Sequence, residues 1–199
     1  MGKVVYVDNA GRQGKPVLLA GDGLVYIELR PDLDFETIRG NIGIPTLVTR
    51  GLFRGFSLPV YAADNEELFS TICVPSRYDE ASDIIVHLYC WLAQAEDTKN
   101  FNLQMSWEHY TPGVDIVPIT SNDVAVETPT GVLAALAQSY VVEFVIDYDI
   151  DGADIVANDD ILQLRVRRIA ASVNECAGEI VVNHYGVIFR RDKLGVVAP

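Results

Sequence analysis

Residues 147–158 read Asp-Tyr-Asp-Ile-Asp-Gly-Ala-Asp-Ile-Val-Ala-Asn, which sets carboxylates at Asp147, Asp149, Asp151 and Asp154 around Gly152. Closely spaced carboxylates supply the hard oxygen ligands that calcium prefers, and a glycine permits the sharp turn that gathers them. The first half of the stretch follows the calcium-loop pattern. The second half departs from it: the twelfth position is Asn158, and the acid Asp159 comes one residue late. The flanking runs at 141–148 and 161–169 are patterned as strands, so the helices of an EF-hand are missing. Two readings remain, a calcium turn carried by strands, or solvent-face acids ending one strand with Asp151-Gly152 opening the turn after it. The second is simpler, and no metal or other cofactor is assigned.

Other candidate chemistry is more dispersed. His87, His109 and His184 stand in three separate runs without an H-x-H pair, so a metal-dependent enzyme on a cupin-like barrel would need all three to converge. The plainer reading is three satisfied core or interface histidines. Tyr89, Trp91, Trp107 and Tyr110 could form an aromatic platform for sugars, with core packing as the commoner fate of such residues. Cys73, Cys90 and Cys176 are odd in number and widely spaced, which suits buried free thiols and neither a disulfide framework nor a zinc pattern. There is no G-x-S-x-G, and Gly11-Arg12-Gln13-Gly14-Lys15-Pro16 lacks the upstream glycine and the hydroxyl residue of a phosphate loop. No enzyme activity is expected. Arg165, Arg167 and Arg168, with Arg190, Arg191 and Lys193, form a basic cluster in an otherwise acidic chain. Arg165, Arg167, Arg190 and Arg191 are the interaction candidates, pairing either within the chain or with carboxylates of a neighbouring subunit.

The elements that must position these groups are short strands. In 101–110, Phe101, Leu103, Met105, Trp107 and His109 alternate with Asn102, Gln104, Ser106, Glu108 and Tyr110. In 139–150, Tyr140, Val142, Phe144, Ile146, Tyr148 and Ile150 share a face. In 160–169, Leu162, Leu164 and Val166 oppose Gln163, Arg165 and Arg167. The runs 84–92 and 179–190 are apolar on both faces, as in a central strand or one covered by a partner. Weaker runs at 53–61, 66–74 and 124–128 bring the count to about eight strands separated by Gly/Pro turns. The best helix candidate, 132–138, is short. The pattern predicts an all-β fold, an antiparallel, jelly-roll-like β-sandwich.

The chain of 199 residues suits one main domain. Residues 53–199 form the expected sandwich. Residues 1–52 are richer in glycine, with strands expected at 3–8 and 24–30 and a helical turn near 35–39, and read as an N-terminal arm or an extra hairpin. A net charge of −13 argues against nucleic acid and anionic membrane surfaces as partners. The longest nearly uncharged apolar run, 84–93, is about half of the roughly 20 residues a bilayer-spanning helix needs, and the start of the chain lacks the roughly 7–15 apolar residues of a secretory leader.

A set of stretches across 66–195 resembles uncharacterised β-sandwich virion structural proteins of tailed bacteriophages, of the head-decoration or head-to-tail type. They are Glu66-Glu67-Leu68-Phe69 leading to Val74-Pro75, Ser82 to His87 with Trp91, Trp107 to Tyr110, Val141 to Tyr148, Asp160 to Ile169, and Gly186 to Gly195. The resemblance carries no catalytic signature and transfers no functional residue. It implies a non-enzymatic capsid or tail component, made in the host cytoplasm and located in the virion, acting as a homo-oligomer that contacts other capsid or tail proteins. The competing expectation, of a different class, is a carbohydrate-binding sandwich module, calcium-assisted if the 147–154 turn holds an ion.

Overall fold

In the computed structural model, the described residues are 45–60, 66–76, 78–114, 122–131, 138–148 and 156–190, with the backbone of three further strands. Those three are β1 (Pro16–Leu18), β2 (Leu24–Leu29) and β3 (Glu36–Thr37). Nine more follow: β4 (Thr46–Arg50), β5 (Phe53–Leu58), β6 (Glu67–Cys73), β7 (Ile84–Leu92), β8 (Asn100–Tyr110), β9 (Asn122–Pro129), β10 (Ser139–Ile146), β11 (Ile161–Ile169) and β12 (Ile180–Arg190). No helix occurs among the described residues. All strand pairings are antiparallel, in one seven-stranded sheet (sheet A) and one five-stranded sheet (sheet B), so the fold is an antiparallel β-sandwich of the jelly-roll-like kind.

Sheet A turns on β12. Strand β7 lies along one side of it, with β10 beyond; on the other side β2 pairs with Tyr185–Arg190 and β5 with Ile180–Val182. The outer positions are β1 beside β2 and β4 beside β5. Sheet B runs β3-β6-β11-β8-β9. The eight strand runs expected from residue 53 onward are β5 to β12, and the strand expected at 24–30 is β2. The segment at 35–39 departs from expectation: the helical turn is replaced by β3, whose Glu36 and Thr37 pair with Phe69 and Leu68. A helical turn there would have left that edge of β6 unpaired, and sheet edges left bare are costly. From the glycine-rich first part, β1 and β2 add to β12 as a hairpin, and the boundary placed between 52 and 53 falls in the turn joining β4 to β5. The candidate strand at 3–8 and nearly all of the helix candidate at 132–138 lie outside the described residues.

Period-two alternation puts one set of side chains between the sheets. From sheet A these include Ile84, Val86, Leu88, Leu92, Val142, Phe144 and Val187; from sheet B, Leu68, Phe101, Leu103, Met105, Leu162, Leu164 and Val166, all buried. Each such burial stabilises by about 1.5–3 kcal/mol before conformational entropy is counted. Alternation breaks once in β12. Ile180 and Val182 point into the core, and then Tyr185, Val187 and Phe189 do. The change of parity is absorbed by a bulge: Val182 pairs with Cys90 and His184 with Tyr89, leaving Asn183 as the extra residue.

Candidate functional site

The bulge opens onto the outer face of sheet A, where a groove of about 700 Å³ crosses the strands. Its lining runs from Arg50, Gly51 and Phe53 in the β4–β5 hairpin, past Asn183 on β12 and Tyr89 and Trp91 on β7, to Ser139 and Val141 on β10. Cross-strand register brings these distant residues together. Arg50 pairs with Phe53 across the Gly51–Leu52 turn, His184 with Tyr89, Val141 with Tyr89, and Ser139 with Trp91. Gly51 takes φ +62, the left-handed conformation that a two-residue turn demands and glycine supplies. From β4 to β10 there are four inter-strand steps of about 4.8 Å, so the groove spans roughly 19 Å.

The aromatic rings differ in what they offer. Phe53 is 69% exposed and presents its ring to solvent, Tyr89 is half-buried, and Trp91 is only 7% exposed and forms floor rather than platform. Glycine at position 55 lets that floor close. A Cβ there would stand 2.4 Å from the Val182 carbonyl oxygen and 3.0 Å from Trp91 Cη2. Tyr89 is held on edge and face: His184 stacks on it at 4.1 Å between ring centroids and 12° between planes, and His87 meets it edge-on at 6.4 Å. His87 in turn shares a 2.9 Å hydrogen bond with Glu143 of β10. Cys90 and Tyr140 turn inward below the groove; the Tyr140 hydroxyl donates to the Thr130 carbonyl, and burial pushes the Cys90 thiol up to about 12.

The side chains of Arg50, Ser139 and Asn183 make no hydrogen bond or ion pair among the described residues. A half-buried amide, a hydroxyl and a guanidinium beside exposed aromatic and aliphatic surface can stack on an apolar face of a ligand while hydrogen-bonding its rim.

The groups singled out in the sequence divide between this face and others. Of the four candidate platform residues, Tyr89 and Trp91 line the groove; Trp107 lies in the core, and Tyr110, on the opposite strand phase of β8, belongs to sheet B. Two strands in different sheets cannot share an outer face, so the four do not form one platform. The histidines separate in the same way. His87 and His184 flank Tyr89, whereas His109 of β8 binds buried Asp160 at 2.8 Å, which rules out the three-imidazole centre. No group of three metal-ligating side chains occurs among the described residues. Asp147 is half-buried after β10; Asp149, Asp151 and Asp154 lie outside the described residues.

Arg165 and Arg167 face outward on sheet B and are met within the chain. Arg165 Nη2 donates to Ser106 at 2.7 Å, Arg167 Nε donates to Gln104 at 2.6 Å, and both approach Glu67 at 3.7–3.8 Å. Arg190 is exposed, 3.9 Å from Asp79, and Arg191 is outside the described residues. Arg168, part of the same basic run, is buried and donates to the Gly178 and Cys176 carbonyls and to Glu175. Nothing in the local sequence marks Arg50, Phe53, Ser139, Val141 or Asn183 as a set. The one signal was Gly55 inside a strand run, which announces a close approach of backbone to a neighbour.

No protein-family model matches the sequence, and no curated protein matches it. Among solved structures the chain is similar to a xylan-binding module, CBM15 (11% identity, TM-score 0.46, covering 87% of this chain and 100% of that one). It is also similar to a family 11 carbohydrate-binding module of a Clostridium thermocellum cellulosomal cellulase (9% identity, TM-score 0.36, 98% and 97%). A third similarity is to infectious bursal disease virus, Gx strain (10% identity, TM-score 0.35, 96% of this chain and 39% of that one). No residue role is transferred from any of them.

Proposed function

We propose that this protein is a carbohydrate-binding β-sandwich module without catalysis of its own, and that the sheet A groove takes a short run of linked pyranose rings. The observation that carries the reading is the pairing of exposed Phe53 and half-buried Tyr89 with the uncommitted Arg50, Asn183 and Ser139 along one open, strand-crossing groove. Pyranoses have apolar faces and hydroxyl rims, which is the chemistry that such a surface complements. Isothermal titration with soluble plant and bacterial oligosaccharides tests it. Binding should be found for at least one glycan and weakened about tenfold by Phe53→Ala, a loss near 1.4 kcal/mol. Failure of the folded protein to bind any glycan of the panel overturns the reading.

A second reading, the self-associating virion subunit, is favoured by one specific observation. Leu52 is 99% exposed and Val141 55% exposed, and with Phe53 they leave apolar surface around the groove that a neighbouring copy could cover. Sedimentation at micromolar concentration decides it: a stable oligomer lost in Phe53→Glu supports this reading, and a monomer removes it.

A further inference from the structure

Six arginines are among the described residues, and four of them are engaged by acceptors: Arg165, Arg167, Arg168 and Arg190 each reach a carboxylate of this chain. With 28 acidic residues against 15 basic ones, an arginine of this protein has carboxylates in excess to choose from. Arg50 and Arg54 have no such partner among the described residues, and of the two only Arg50 lines the groove. Two acids of the same outer face, among the described residues, are turned to other partners. Glu143 is held by His87, and Glu179 accepts a 2.6 Å bond from Ser57.

We infer, resting on the glycan-binding reading above, that the groove selects acidic glycans, with the carboxylate of a uronic acid docked on the Arg50 guanidinium while an adjacent ring lies on Phe53. Arg50 and Phe53 are direct cross-strand partners, so a cation and an aromatic face stand side by side at one end of the groove. A guanidinium presents a planar fork that matches a carboxylate in two-point contact, and lysine does not reproduce that fork. The negative charge of the whole molecule does not forbid an acidic ligand. Charges beyond a Debye length of about 8 Å are largely screened at physiological ionic strength, so the field at the hairpin is set by the charges within that distance and not by the net charge of the molecule.

The experiment compares one uronic-acid-bearing oligosaccharide with its carboxyl-reduced counterpart, titrated into wild type, Arg50→Ala, Arg50→Lys and Phe53→Ala, with circular dichroism confirming that each is folded. Wild type should bind the acidic form about tenfold tighter, and that preference should fade between about 0.02 M and about 0.5 M salt as screening increases. Arg50→Ala should lose the preference, its affinity for the acidic form falling about tenfold further than its affinity for the reduced form, Arg50→Lys should recover only part of it, and Phe53→Ala should weaken both ligands alike. Equal binding of both glycans by wild type, or a preference unchanged in Arg50→Ala, overturns the acidic selectivity and leaves the glycan-binding reading standing. Absence of binding to either form and to the neutral panel overturns both.

Discussion

The outer faces of the two sheets are built by the same alternation and end up chemically opposite. On sheet B the outward side chains use one another up. Thr71 donates to Gln163 at 2.7 Å, Gln104 donates to Asp123 at 3.1 Å while accepting from Arg167, and Arg165 bridges Ser106 and nearly buried Glu67. A cavity among these described residues is about 110 Å³. On sheet A, exposed Phe53 and Val141 surround amide, hydroxyl and guanidinium groups that have no partner among the described residues, over a groove of about 700 Å³. A face whose polar groups satisfy each other spends them on stability. A face whose polar groups lack partners among the described residues, beside exposed aromatic surface, has the chemistry that the proposed binding role requires.

If that contrast is right, substitutions on the two faces should separate stability from binding. The largest effect is expected from Gly55→Leu, because its side chain would meet the Val182 carbonyl and the Trp91 ring. Overpacking there should cost about 1–3 kcal/mol and abolish glycan binding together, read by thermal denaturation and titration of the same sample. Glu67→Ala should cost about 1 kcal/mol, a fall in Tm of roughly 2–4 °C, with binding unchanged, since two partly exposed arginines lose a shared acceptor on the far sheet. Phe53→Ala should show the reverse, a stability change within about 0.5 kcal/mol because the ring is mostly in water, and a tenfold loss of affinity. A stability loss in Phe53→Ala as large as that in Glu67→Ala would erase the distinction.

The smallest effect is a pH dependence confined to the sheet B end. Glu127 accepts from Ser172 N–H and Oγ and from Asn100, and these bonds hold its carboxyl below the usual carboxylate range, with the Ser172 backbone bond contributing most. A depressed acid stabilises the fold above its unfolded pKa, and that contribution is lost as pH falls through the lower folded value. Acid denaturation of Glu127→Gln should therefore begin from a lower stability at neutral pH and fall less steeply in that window. Identical acid limbs in the two proteins would show that the bonds contribute nothing.

Much of this architecture is legible in period-two patterning, because a residue's parity along a strand fixes its face. The eight strand runs after residue 53 and the inward set Phe101, Leu103, Met105 and Trp107 follow from that alone. Parity even carried a clue for Arg168, which shares the phase of Leu162, Leu164 and Val166 and is buried with them. The groove was less legible, since its residues come from five strands, most of them far apart in the chain, and meet only through register. The bulge at Asn183 is the sharpest case. It shifts β12 by one residue between Val182 and His184, so no single alternation describes the run 179–190, which looked apolar on both faces. Trp107 lies in the core, the commoner fate expected for it, and its parity rather than its aromatic type is what tells which side of the strand is covered.

The most direct test maps backbone amide shifts in a labelled sample while an oligosaccharide found to bind is added. The perturbed amides should cluster at Arg50, Phe53, Tyr89, Ser139, Val141 and Asn183, with Gln104, Ser106, Gln163 and Arg165 unmoved. Shifts centred on those sheet B positions, or a binding isotherm with no perturbation around Tyr89 and Asn183, would contradict the assignment of the sheet A groove as the glycan site.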